Sequence, residues 1–216
     1  MKQIAVIFTI LASICGISQA KAQTDTTPYP DYREESFMDM DFEPNLLTPE
    51  VPAALKGTVS DYVVRVAESL KRQAVIDIMR DADVFVVNIP SEDLFLPNDT
   101  LLSDYAPQQL DKLLPLMKDP YMYKVLIAVH CDDTGSEAYR EHLTTERLNS
   151  IYYWLLEAMD DGKLSEDLVV IPFAMGSSEP LLPNDTRENR KENRRVEFYF
   201  IPGPKMIELA RKGTLR

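Results

Sequence analysis

The chain has 216 residues, a formal net charge of −12 and two cysteines. So acidic a surface argues against binding nucleic acid or anionic lipid through net charge. A chain of this length can bury an ordinary hydrophobic core.

Lys2 precedes the apolar run IAVIFTILASICGIS, and Ala20 and Ala22 supply small residues before Gln23. This is the pattern of a cleaved secretory signal over residues 1–22, with an apolar run too short to span a bilayer. Ile14, rather than a small residue, precedes Cys15, which argues against lipid attachment there. Cleavage removes Lys2, Lys21 and no acid, so the mature charge becomes −14 and Cys131 is left as a single thiol without a disulfide partner. The expected mature protein is soluble, lies outside the cytoplasm and has no membrane span.

Residues 23–52 hold five prolines and many acids and show no period. They read as an acidic, extended, mostly disordered linker. Over 53–82 the apolar positions Val59, Tyr62, Val63, Val66 and Leu70 form one face of an amphipathic helix. Together, residues 23–82 could meet an outer-membrane or other envelope protein.

From residue 83 the elements alternate. VFVVNIP (84–90) is a β-branched strand ended by Pro90, and Leu110, Leu113, Leu114 and Met117 recur at helical spacing over 107–118. KVLIAVH (124–130) is a buried strand. A long helix over 137–160 carries Leu148, Ile151, Tyr152, Leu155 and Met159 and stops at Gly162. LVVIPFAM (168–175) and RRVEFYFIP (194–202) are further strands, and 203–216 is a helical tail. The fold class is therefore α/β: a two-layer βαβαββ sandwich over 83–202, with helices on one face of a mixed four-stranded sheet. Helices flank it at both ends.

Asp132 sits at the carboxyl end of the 124–130 strand. Gly135 permits a tight turn, Thr134 or Ser136 can cap the next helix, and Arg147 falls in that helix. Residue types alone leave two readings open. The pair could be a surface salt bridge worth about 0–1 kcal/mol. It could instead be a clamp for a zwitterion, with the ammonium on Asp132 and the carboxylate on the guanidinium and helix N–H groups. Cys131 has no base partner fixed by spacing, Asp132 and Asp133 are adjacent rather than facing, and His130 and His142 show no metal-ligand spacing. No enzyme activity, cofactor or metal is expected.

HCDDTGSEAYREHLTTERLNSIYYWL, followed by GSSEPLLPNDTRENRKENRRVEFYF, resembles the OmpA C-terminal domain, a peptidoglycan-binding module also found in Pal and MotB. The shared positions are His130, Asp132, Gly135, Tyr139, Leu143 and Arg147, then Gly176, Pro180, Asn184 and Asn193 to Glu197. The resemblance implies a non-catalytic periplasmic anchor that binds the peptidoglycan stem peptide, chiefly its meso-diaminopimelate. Asp132 and Arg147 would grip that residue, assisted by Thr134, Asn193, Arg194 and Arg195. Adjacent arginines on a strand point to opposite faces, so only one of Arg194 and Arg195 should meet the ligand. Val129, Cys131, Arg140 and Leu148 depart from the pattern. Val129, Arg140 and Leu148 motivate the alternative of a structural or interaction protein whose site is degenerate and which binds a protein partner.

Overall fold

A computed structural model describes residues 28–72 and 74–216. The expected signal at 1–22 and the start of the linker lie outside the described residues, and the compact unit is Asp31–Arg216. Strands Val84–Pro90 (β2), Tyr123–His130 (β3), Val170–Gly176 (β4) and Arg195–Pro202 (β5) fall within two residues of the four expected ones. A fifth strand, Val75–Met79 (β1), makes a five-stranded sheet of order β1-β2-β5-β3-β4. β3 and β4 are parallel, while β5 is antiparallel to both β2 and β3.

β1 occupies sequence expected to end the helix of 53–82. That helix, Lys56–Leu70 (α3), stops earlier, with Val59, Val63 and Ala67 buried. Residues 75–79 read Val-Ile-Asp-Ile-Met and alternate between exposed and half-buried, the period of a strand. They pair antiparallel with β2 at the sheet edge.

The helical segment expected at 107–118 is two short helices, Ala106–Leu110 (α4) and Leu114–Met117 (α5), each with a proline in its first turn. Proline lacks an amide N–H and clashes with the carbonyl four residues back, so Pro115 starts a helix and cannot continue one. The long helix Glu137–Asp160 (α6) is capped by Ser136, whose hydroxyl accepts from the Tyr139 amide at 3.2 Å. A further helix, Arg187–Asn193 (α7), occupies a stretch whose charge pattern reads as a solvated loop, and Thr186 caps it. Pro204–Arg211 (α8) is the expected tail helix.

The main core lies between the sheet and its helices. Phe85, Val87, Val125, Ile127, Phe198 and Phe200 meet Val63, Met117, Ile151, Leu155 and Met206 there. The alternate residues Leu126, Ala128, Ile171, Phe173, Tyr199 and Ile201 are also buried, so β3 and β5 are buried on both faces.

The covering for that second face is the segment expected to be an extended linker. It contains helices Glu35–Met38 (α1) and Phe42–Leu47 (α2). Phe42 packs edge-on against Phe173 and Tyr199 at 5.1 and 5.4 Å. The fully buried Lys124 of β3 donates to the Asn45 carbonyl at 2.6 Å and to Asn45 Oδ1 at 3.1 Å, and its ammonium lies 4.3 Å from the Phe37 ring centroid. Asn45 also donates to the carbonyls of Phe37 and Met40. The linker reading fails because the Tyr, Phe and Leu residues of 31–47 find an apolar surface in their own sheet. The two-layer sandwich thereby gains a thin third layer.

Candidate functional site

β2 and β3 are both antiparallel to β5, and β4 is parallel to β3. The three strands therefore run the same way, and the connections after them, 91–105, 131–136 and 177–186, leave the sheet at one edge. Asp132 lies at the end of β3 and is only 6% exposed. Its Oδ1 accepts from the Thr134 amide at 2.8 Å, and its Oδ2 accepts from Arg194 Nη1 at 2.5 Å. Burial pushes this carboxyl up. The Thr134 side-chain and backbone hydrogen bonds and the Arg194 guanidinium outweigh that effect and hold it below the ordinary aspartate value.

The 133–135 turn is fixed in two ways. Gly135 has φ +88°, and a β-carbon there would lie 2.7 Å from Tyr139 Cδ1. Arg140 Nη1 donates to the carbonyls of Asp133 and Gly135 at 3.2 and 2.7 Å. Arg140, one of the departures that motivate a degenerate site, thus clamps the turn beside Asp132.

Arg147 projects from α6 and is 4% exposed. Its Nε donates to the Asp99 carbonyl at 2.9 Å, and its guanidinium carbon lies 4.8 Å from the Phe95 ring centroid. No ion pair joins it to Asp132 or to any other carboxylate among the described residues, and Nη1 and Nη2 make no hydrogen bond there. The direct Asp132–Arg147 salt bridge left open by the sequence is therefore absent. Burial lowers the affinity of Arg147 for its proton. The Arg147 charge is nonetheless felt at Cys131, next to Asp132, and Arg194 is felt at Arg147. Asp132, Arg147 and Arg194 thus share one electrostatic neighbourhood. Burial raises the Cys131 thiol to about 11, which leaves it a poor nucleophile at neutral pH.

The Asn193–Arg195 block divides. Arg194 ends α7 just before β5, and its side chain is 37% exposed on Asp132. Arg195 is buried on the second face of the sheet. Its Nε donates to Glu197 Oε1 at 2.7 Å, and the fork reaches the carbonyls of Asn193 and Glu179. Asn193 is fully buried and its amide is committed to the 177–186 loop: Nδ2 donates to Leu182 O and Asn184 Oδ1, and Oδ1 accepts from the Leu182 amide. Of the residues expected at the site, Asp132, Arg147 and Arg194 supply charge. Thr134 orients Asp132, while Asn193 and Arg195 hold the frame.

Glu197 and His130 lie within the shared motif, but their role was not legible from it. Glu197 accepts from His130 Nε2 at 2.8 Å and from the Tyr199 hydroxyl at 2.6 Å, besides Arg195. Burial opposes the Glu197 charge, yet His130, Tyr199 and Arg195 together pull its carboxyl down to about 2. Burial lowers His130, against the opposing pull of Glu197. The alternation of polar with apolar residues at the start of β5 reads as a strand with one solvated face, so the burial of Arg195 and Glu197 had no signal in the sequence. Two surface cavities, one beside Val75 and Lys112 and one beside Tyr62 and Lys205, are not lined by Asp132, Arg147 or Arg194.

The OmpA family model matches residues 94–194, which include the connections 131–136 and 177–186 and all but the first three residues of 91–105. Over that stretch the chain is similar to the OmpA family. The Escherichia coli (strain K12) lipoprotein YiaD is 24% identical over 128 residues, covering 59% of this chain and 56% of its own length. The chain therefore matches only about half of that relative. A solved MotB-like protein from Desulfovibrio vulgaris has a TM-score of 0.54 and 23% identity, covering 69% of this chain and 94% of that one. At that identity the likeness speaks to fold alone. The cell wall anchor of the T6SS from Pseudomonas aeruginosa is more distant, with a TM-score of 0.49 and 18% identity over 67% of this chain and 96% of its own.

Proposed function

We propose that this OmpA-like domain is a non-catalytic module that binds the peptidoglycan stem peptide in the periplasm and so anchors an envelope component to the cell wall. The observation that carries the reading is Arg147: a residue 4% exposed, whose guanidinium has a carbonyl and an aromatic face as partners and no carboxylate in salt-bridge contact among the described residues. A buried charge left without an opposite charge is costly. A ligand carboxylate would supply it in bidentate form. Asp132, already ionised and oriented by Thr134, would take the ammonium of the same residue, with Arg194 moving aside or sharing the carboxylate. Diaminopimelate carries both groups on one carbon.

The family match agrees with this reading. The test is retention on purified sacculi of the wild type, Asp132→Ala and Arg147→Ala. Loss in both variants is expected, with melting temperatures confirming that they fold. Equal retention of all three would refute the proposal.

A further inference from the structure

One surface cavity lies at the opposite end of the sheet from Asp132. β3 begins at Tyr123 and ends at His130, which separates the two places by about 23 Å at roughly 3.3 Å per residue. The cavity has a volume of about 710 Å³ and is lined by Tyr62, Pro115, Pro120, Tyr121 and Tyr123, among others. That volume falls in the range of about 300–1,000 Å³ found for ligand clefts.

Its walls are pinned. The Gly203 amide donates to the Met122 carbonyl at 2.8 Å, and the Lys205 amide donates to the Tyr121 carbonyl at 3.1 Å. A β-carbon on Gly203 would collide with that Tyr121 carbonyl, so the two segments meet closely. A surface ordered before binding loses less entropy when a ligand arrives.

Tyr123 is 3% exposed and sits edge-on to Phe85 and Phe200, yet its hydroxyl has no hydrogen-bond partner among the described residues. Tyr62 lies close enough to be felt at Tyr123, but no donor–acceptor geometry joins the two hydroxyls. A buried hydroxyl left unpaired is costly. Lys118, which also lines the cavity, is exposed and makes no ion pair among the described residues. The lining carboxylate, Asp119, is already engaged by the Tyr121 amide and by Lys205. The cavity thus offers unpaired donors and positive charge, and its carboxylate is occupied. A ligand that fits must bring acceptors, few donors, and apolar bulk to lie on tyrosine and proline rings. Proline residues meet all three conditions. Each has a carbonyl and no N–H, and its ring packs on aromatic faces in an extended helix that is ordered before binding. A glycan would bring many hydroxyl donors to a cleft with little to receive them.

We propose that this cavity docks an extended, proline-rich and acidic segment of a protein partner, with one backbone carbonyl accepting from the Tyr123 hydroxyl and one carboxylate pairing with Lys118. The inference goes beyond the stem-peptide reading and does not depend on it. Because the two places lie at opposite ends of β3, a partner held here leaves the Asp132 end open.

The experiment is a fluorescence-anisotropy titration of the full chain with a labelled, capped peptide of eight prolines interrupted by one glutamate. The same peptide with alanine in place of proline is the comparison, and an N-acetylglucosamine tetramer is the competitor. The wild type should bind the alanine peptide at least about tenfold more weakly. Tyr123→Phe should bind the proline peptide about three- to tenfold more weakly, the scale of one hydrogen bond. Its melting temperature should equal or exceed that of the wild type, because the hydroxyl has no internal partner to lose. Lys118→Glu should also bind more weakly, and Asp132→Ala should bind as the wild type does. Equal binding of the two peptides, binding of neither, or unchanged binding in Tyr123→Phe or Lys118→Glu overturns the inference. A lowered melting temperature in Tyr123→Phe shows an internal partner for the hydroxyl and also overturns it. Loss of binding in Asp132→Ala places the peptide at the other end of the sheet, and displacement by the tetramer assigns the cavity to glycan; in either case the inference falls.

Discussion

Replacing Glu197 by glutamine removes one negative charge from a buried cluster and leaves its volume almost unchanged. Glu197 has two oxygens and three donors around them: Arg195 Nε on one, His130 Nε2 and the Tyr199 hydroxyl on the other. Glutamine offers one oxygen, so its amide N–H₂ must face donors on one side, and Arg195 keeps its buried charge without a counter-charge. Removing one member of a buried ion pair costs about 3–5 kcal/mol. Linkage gives the same scale: a carboxyl moved from an ordinary value of 4.5 to about 2 contributes about 3 kcal/mol, at 1.4 kcal/mol per unit. Because the folded value is depressed, this contribution is complete above about pH 4.5 and is lost as pH falls toward 2. Urea unfolding at pH 7 should show Glu197→Gln to be 3–5 kcal/mol less stable, a large share of the roughly 5–15 kcal/mol typical of a domain. The Glu197 carboxyl resonance of the wild type should titrate near 2 by NMR. A difference below about 1 kcal/mol at pH 7, or titration between 4 and 5, would refute the claim that this cluster holds β3 and β5 together beneath the site.

Asn45→Ala should cost about 2–4 kcal/mol, because it removes one of the two acceptors of Lys124 and the donor to two carbonyls of the 31–47 strap over the second face, and should make residues 31–47 sensitive to limited proteolysis. Protease resistance equal to the wild type would count against the strap. Burial, and then Arg80, lowers Lys124 to about 7. The unfolded chain therefore binds the extra proton between pH 7 and about 10.5, and stability should rise with pH across that window. Lys124→Met, compared at pH 7 and 9.5, should lack this slope. Gly135→Ala meets both a positive φ and Tyr139. It should lose about 1–3 kcal/mol of stability and weaken retention on sacculi; unchanged retention would show that the turn geometry does not matter to binding.

Much of the architecture could be read from local pattern. The β-branched runs at 84–90 and 124–130 and the apolar stripe of 137–160 give strands and a helix because their periods of 2.0 and 3.6 select one buried face. The spacing of Asp132, Gly135 and Arg147 on a strand end, a turn and a helix marked a candidate site, because those elements fix where the chain emerges. Three things depended on residues far apart in sequence. The acidic, proline-rich composition of 23–52 looks like a linker until the sheet's second face offers Phe42 and Leu46 a place to bury. Arg194 and Arg195 are neighbours with the same side chain, and only the end of α7 and the start of β5 send one to Asp132 and the other to Glu197. Asp132 and Arg147, the most suggestive pair in the sequence, are not bonded to each other. Sequence spacing records which groups can approach one edge, whereas the choice of partner is made by packing, desolvation and the geometry of donors that only the folded chain brings together.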